Sequence, residues 1–204
     1  MLRALALGDN KAADSMSRTL SIIAVTYNEV AHVARLKAAL DRLHRPGGLQ
    51  IEALLVDGGS RDGTVEAAYA AGFDQVLVRP GASIPVCRNA GWKAAHGEWV
   101  AFLDGDCEPA ADWAEQAAHF LDHEPEALLG WPARAPEPLT WLQAAWLFHW
   151  TYKNPHTVER HGRPVVEREA FRLATTRNML FHRRVAERLN GFNEELTTGE
   201  DTDF

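Results

Sequence analysis

A chain of 204 residues, 46% of them hydrophobic and 24% charged, has the composition of a soluble globular protein and enough length to bury one core without disulfide or metal staples. Its formal net charge of -7 excludes the basic stripe by which nucleic acid is held. The two cysteines, Cys87 and Cys107, stand in unrelated contexts and read as buried, reduced thiols of a cytoplasmic protein rather than a disulfide framework.

Residues 1–18 mix small apolar side chains with Asp9, Lys11 and Asp14, so they lack the apolar run of a signal peptide and read as a flexible leader to a single domain over 19–204. The β-branched run at 21–25 predicts a buried strand that ends in a loop at Thr26, Tyr27 and Asn28. Helical spacing of Val30, Val33, Leu36, Leu40 and Leu43 follows and is stopped by "RPGG". A second strand over 51–56 closes on Asp57, and "RDGTVEAAYAAG" predicts a helix ended by Gly72. "QVLV" is a third strand. "IPVCRNAGWKAAHG" is a helix with Pro85 in its first turn, where a missing N–H costs nothing. "EWVAFLD" is a fourth strand.

Beyond Pro109 the reading is a helix to about His123, a short strand in "ALLGW" and a Pro-rich turn. A helix in "TWLQAAWLFHWTY" comes next, then a polar loop over 154–168, and then strand, turn and helix in "FRLATTRNMLFHRRVAERLNGF". Strands alternating with helices imply right-handed crossovers, hence an α/β, mainly parallel sheet with helices on both faces. In such sheets ligands bind outside the carboxyl ends of the strands. Those ends here carry Thr26, Tyr27, Asp57, Asp104 and Asp106.

"VAFLDGDCEP" (100–109) is the most telling of them. Two aspartates at one strand end repel each other and lose hydration, which calls for a cation. Oxygen ligands favour Mg2+ or Mn2+, with substrate phosphates completing the shell. The competing reading is that Asp104 and Asp106 cap the next helix. A calcium loop fails because Pro109 stands where the loop needs glycine and a strand precedes it. Neither G-x-G-x-x-G after the first strand nor G-x-x-x-x-G-K-[ST] occurs, which disfavours a dehydrogenase or a P-loop NTPase.

Five blocks in order, "SIIAVTYNE", "VDGGSRDGT", "CRNAG", "VAFLDGDCEP" and "LNGFNEELTTGEDTDF", resemble a family 2 glycosyltransferase with the GT-A, Rossmann-like nucleotide-diphospho-sugar fold, over about 20–204. The resemblance implies a nucleotide-sugar half over about 19–109 and an acceptor half over about 110–204. It implies that Thr26, Tyr27 and Glu29 meet the nucleotide, that Asp57 contacts base or ribose, and that Arg88 lies near the nucleotide. Asp104 then faces the ribose and Asp106 the metal, and Asp201, beside Glu200, acts as general base on the acceptor hydroxyl. The implied reaction is a metal-dependent, inverting transfer of a hexose from a nucleotide-diphosphate sugar, a UDP-sugar first, to a glycan or lipid-linked acceptor, as in cell-envelope polysaccharide synthesis.

Each residue has a plainer role available. Asp57 can cap its own turn, Glu29 can serve as a first-turn acid, Arg88 can be a surface residue, and Glu200 and Asp201 can cap a helix. The chain also departs from the family pattern. Gly58 follows Asp57 where a second acid is common, Val25 replaces a common proline, and neither a Q-x-x-R-W motif nor the usual elements follow "GED". The expectation is therefore a domain truncated on its acceptor side, with a non-catalytic nucleotide-sugar-binding module as the competing function. A sugar-nucleotide pyrophosphorylase is disfavoured, since "TYNE" stands where its glycine-rich loop would open. The Trp-bearing stretch 141–150 reads as core packing, acceptor stacking or peripheral membrane contact.

Overall fold

The computed structural model describes residues 18–123, 129–130, 141, 157–160, 163–166 and 176–197. Residues 1–17 of the leader expected over 1–18, the Trp-bearing stretch beyond Trp141, and Glu200 and Asp201 lie outside the described residues.

Among the described residues, eight strands and five helices follow one another. They are β1 (Thr19–Thr26), α1 (Val30–Asp41), a short 3-10 turn at Pro46–Gly48, β2 (Gln50–Asp57), α2 (Thr64–Ala71), β3 (Gln75–Val78), α3 (Ile84–Ala94) and β4 (Trp99–Asp104). After these come α4 (Trp113–His123), β5 (Leu129–Gly130), β6 (Thr157–Arg160), β7 (Arg163–Val166), β8 (Asn178–His182) and α5 (Arg183–Leu189). Six strands form one sheet in the order β3-β2-β1-β4-β8-β5. The first four are parallel, and β8 runs antiparallel to both β4 and β5. The α/β, mainly parallel but mixed sheet is thus the expected one.

The strands are buried on both faces, so their alternation sorts apolar side chains into two layers. Leu20, Ile22, Leu55, Ala101, Leu103 and Leu180 pack with α1, α2 and α4 on one face. Ile23, Leu54, Val56, Phe102, Met179 and Phe181 pack with residues of α3 and α5 on the other. This division follows from handedness. The chain steps one way through β1, β2 and β3 and then returns past β1 to β4, and right-handed crossovers in opposite directions must use opposite faces. The strand order therefore reverses between β1 and β4, and it is at the carboxyl ends of strands beside such a reversal that open α/β sheets bind their ligands.

α3 lies unusually close to the sheet. A Cβ on Gly91 would stand 2.6 Å from Ile23 Cγ2, so glycine is the residue that permits this approach. Pro85 occupies the first turn of α3 and Gly72 ends α2 with φ of 80°, both as the sequence predicts.

Three expectations need correction. Residues 157–160 and 163–166 form an antiparallel pair of strands, not part of a polar loop. The helix expected after Pro109 begins only at Trp113. Cys87 is buried as expected, but Cys107 is only partly so, because it lies in the turn after β4 instead of in the core; both are free thiols. Among the described residues no helix is long and apolar enough to cross a membrane.

Candidate active site

The parallel register sets the frame of the site. Thr26 pairs with Asp57 and Val25 with Asp104, so the ends of β1, β2 and β4 lie side by side. Asp57 is fully buried. Its Oδ1 accepts from the amides of Gly59 at 2.8 Å and Ser60 at 2.7 Å, and its Oδ2 accepts from the Ser60 hydroxyl and from Thr26 Oγ1 at 3.3 Å. Both oxygens are engaged in shaping the "DGGS" turn. Thr26 is buried against it, whereas Tyr27 is 62% exposed and its ring lies beside Gly58.

The β2–α2 loop also holds the start of α1, which the sequence reading missed. Asn28, in the left-handed region at φ of 56°, donates its amide to Ser60 Oγ at 2.7 Å and accepts from the Arg61 amide at 3.0 Å through Oδ1. The Glu29 amide reaches Thr64 Oγ1 at 2.8 Å and the Val30 amide reaches Asp62 Oδ2 at 3.1 Å. Two amide donors at the N-terminus of α1 are thus satisfied by another loop, while Glu29 itself makes no side-chain cap. The Thr64 hydroxyl, with the Val30 and Thr64 amides, outweighs the desolvation of Asp62 and holds its carboxyl below the usual range. The local signal was the Asp62/Thr64 pair, which favours turns and caps, but nothing in the sequence said which helix it would cap.

Between the two aspartates sits Gly105. A Cβ there would lie 2.8 Å from Thr26 Cγ2 and 3.5 Å from Glu29 Cγ, so the turn after β4 packs directly on the end of β1. Glycine separates the carboxylates because nothing larger fits beneath them. Glu29, partly buried, lies against this turn, with Oε2 3.6 Å from His32 Nε2.

Asp104 is half-buried and Asp106 exposed. Burial pushes the Asp104 carboxyl up. Arg177 and Arg88 oppose the rise and Asp106 adds to it. The same burial, with the negative charge of both aspartates, pushes the Cys107 thiol up to about 11, so it stays protonated and unreactive near neutrality. Arg177 Nε is 3.5 Å from Asp104 Oδ2. Sequence reading did not single out Arg177.

Arg88 is buried, with its guanidinium carbon 5.6 Å from the centroid of the Phe192 ring. Its neighbour Asn89, also missed, clamps the segment after α5. Its Nδ2 donates to Phe192 O and Glu194 Oε1, each at 2.8 Å, and its Oδ1 accepts from the Phe192 amide at 2.8 Å and Trp92 Nε1 at 3.0 Å. A groove of about 520 Å³ lies here, lined by Asn89, Lys93, Gly191, Asn193 and Glu194 among others.

The arrangement gathers Thr26, Tyr27, Glu29, Asp57, Asp104 and Asp106 at the adjoining carboxyl ends of β1, β2 and β4, with Arg177 and Arg88 bearing on Asp104. Two carboxylates, one of them exposed, are a donor set that suits Mg2+ or Mn2+ completed by phosphate oxygens and water. Among the described residues, no group of three His, Cys, Asp or Glu side chains is placed to hold a metal by itself.

Comparison with known proteins agrees with this architecture. The Haloferax volcanii "Glycosyltransferase AglE" is 31% identical over 116 residues, which are 54% of this chain and 38% of the relative. Staphylococcus aureus TarS 1-349, solved in complex with UDP, superposes with a TM-score of 0.69 at 20% identity, covering 90% of this chain and 53% of that one. The Pyrobaculum calidifontis mannosyltransferase PcManGT, in complex with GDP-Man and Mn2+, gives 0.67 at 19% identity over 92% of this chain and 51% of its own. The chain thus spans about half the length of these solved relatives, and likenesses at this identity speak for a shared GT-A fold. The profile of the family described as "Glycosyl transferase family 2" matches residues 21–189, most of the sequence, and by that match the chain belongs to glycosyl transferase family 2.

Proposed function

We propose that the chain binds a nucleoside-diphosphate sugar at the carboxyl ends of β1, β2 and β4 and transfers the sugar to a hydroxyl group with inversion at the anomeric carbon. The observation that carries this reading is the seating of the Asp104-Gly105-Asp106 turn on the end of β1, where the strand order reverses. Tyr27 offers an exposed aromatic face to a base. Thr26, Glu29 and Arg88 line the nucleotide side, and Asp104 stands on the ribose side. Asp57 has both oxygens committed to its turn, so a direct donor contact requires displacing the Ser60 hydroxyl.

Mg2+ or Mn2+ held by Asp106, with Asp104 beside it, would supply positive charge to the leaving diphosphate. In a single displacement the acceptor oxygen bonds to the anomeric carbon as the bond to the diphosphate oxygen breaks. The hydroxyl proton passes to a carboxylate, assigned here to Asp201 beside Glu200. The acceptor is a glycan or a lipid-linked sugar, and for the latter residues 141–150 would lie at the cytoplasmic membrane surface. The donor half spans about 19–109 and the acceptor half about 110–204. UDP-sugars are the first donors to test, because TarS has been captured with UDP and with UDP-GlcNAc, and GDP-mannose is next.

Isothermal titration of UDP, GDP and dTDP with Mn2+ or Mg2+ tests the reading. One nucleotide is expected to bind in a metal-dependent manner, and Asp106→Ala is expected to weaken it by about 100-fold, as loss of a metal-site residue does. Equal affinity with and without the metal would overturn the metal-assisted mechanism. Metal-dependent binding with no transfer to any acceptor would assign the chain as a nucleotide-sugar-binding module.

A further inference from the structure

The proposed donor site concentrates negative charge. Asp104 and Asp106 sit one residue apart, and a nucleoside diphosphate adds at least two more charges, while a divalent ion supplies only two positive ones. A buried or half-buried excess of this kind is costly without further cations. One cation comes from an unexpected part of the chain. β8 runs antiparallel to β4 with Leu103 opposite Asn178, so the residue before β8, Arg177, arrives beside the residue after Leu103, Asp104. Its Nε lies 3.5 Å from Asp104 Oδ2, and both side chains remain roughly two-fifths exposed.

That ion pair is a poor explanation for an arginine at this position. At 3.5 Å, with both partners so exposed, it adds little to stability. Arginine carries five N–H donors in a planar fork that matches phosphate oxygens two at a time. Nε serves Asp104, and among the described residues Arg177 makes no other hydrogen bond or ion pair, so that none of those residues takes the Nη donors of the fork. A lysine would bring charge without that geometry.

We propose that Arg177 is a donor-binding residue that contacts the diphosphate, using its ion pair with Asp104 to hold the guanidinium at the mouth of the crevice. This rests on the reading of the crevice as a nucleoside-diphosphate site. The arginine would then share the leaving diphosphate's charge with a divalent ion held by Asp106, while its ion pair with Asp104 offsets the charge of that carboxylate.

Titration of UDP, GDP and dTDP with Mn2+ into wild type, Arg177→Ala and Arg177→Lys tests this, alongside Mn2+ alone. Arg177→Ala is expected to weaken the nucleoside diphosphate that wild type binds by about tenfold or more, as loss of a charge-assisted phosphate contact does. Arg177→Lys is expected to restore part of that loss. Mn2+ alone should bind Arg177→Ala no more weakly than wild type, because a competing cation has been removed from Asp104; weaker Mn2+ binding would make the residue a support of the carboxylates and overturn the diphosphate contact. Unchanged nucleotide affinity in Arg177→Ala overturns this inference while leaving the donor site standing. Failure of wild type to bind any of the three diphosphates overturns both. Melting curves that coincide for the three proteins confirm that the comparison is between folded chains.

Discussion

Glu52, near the amino end of β2, and Asp104, at the carboxyl end of β4, are both carboxylates on the central sheet, and their surroundings differ in every respect. Glu52 is only 13% exposed and is enclosed by donors. Ser21 Oγ reaches it at 2.5 Å, the His96 amide at 2.9 Å and Gln75 Nε2 at 2.9 Å, and His96 Nδ1 lies 2.6 Å away. Burial alone would raise its carboxyl, but those donors together outweigh it and hold it below the ordinary 4.5. Asp104 has one arginine at 3.5 Å, stays half-exposed, and is pushed up. The difference teaches where each end of the sheet has been finished. The amino end closes its polar groups on one another and ties β1, β2, β3 and the α3–β4 connection together. The carboxyl end leaves groups whose best partners are not protein, which is what a binding crevice requires.

The comparison breaks most visibly at Asn89, which belongs to the helix of the functional end yet is built like the closed one. It is buried, and its amide makes four hydrogen bonds, three of them to the segment after α5 and one to Trp92 on its own helix. Asn89→Ala is expected to cost about 3 kcal/mol, the upper range for orphaning several buried groups at once. Urea denaturation measures the loss, and hydrogen exchange at residues 191–194 should accelerate with it. A loss below about 1 kcal/mol would show that solvent replaces the clamp.

Glu52→Gln is the matching test at the other end. It replaces an acceptor-only group by one that must point an N–H2 at donors, and about 2 kcal/mol should be lost in the same denaturation experiment. Nucleotide affinity should not change, because the cluster lies at the opposite ends of the strands from the crevice. A change in affinity would mean that the two ends are coupled through β1 and β2.

Gly105→Ala should do the reverse. Its Cβ would meet Thr26 Cγ2 at 2.8 Å, and Thr26 is a buried β-branched residue already bonded to Asp57, so the turn rather than the strand must shift. About 1 kcal/mol of stability and about tenfold in nucleotide affinity are expected to go, the second because a displacement of the order of an ångström misplaces both aspartates. Titration calorimetry against wild type reads it. Affinity that survives would place the donor elsewhere than on this turn.

How much of this was legible in the sequence follows from the range of the interactions involved. The first four strands and their helices could be read because each carries an apolar run or an apolar stripe at its own period, set off by a nearby glycine, proline or aspartate. The aspartates of β2 and β4 could be read because a charge that abruptly ends an apolar run is a local signal. β6 and β7 were hidden by Pro164 and by the charged residues Glu159, Arg160 and Arg163, which lower strand propensity. Only two residues, His161 and Gly162, stand between those strands in the sequence, a spacing that could have given them away. Arg177 and Asn89 could not have been placed, since each owes its role to a partner more than 70 residues distant, brought there by the antiparallel β8 and by the chain's return after α5.

The smallest expected effect is one of pH. Because the folded Glu52 carboxyl titrates below its ordinary 4.5, the unfolded chain binds its proton first as pH falls. The contribution of Glu52 is therefore fully present above pH 4.5 and is lost as the pH drops through the lower, folded value. Asp62, likewise lowered from 3.8 but held on an exposed loop, loses its contribution in a window beginning lower still. Denaturation of wild type and Glu52→Gln between pH 6 and pH 3 should therefore give a difference in stability that is constant at first and narrows below pH 4.5. A difference that widened on acidification would mean that the donors around Glu52 do not prevail over its burial, and the contrast between the two ends of the sheet would then rest on exposure alone.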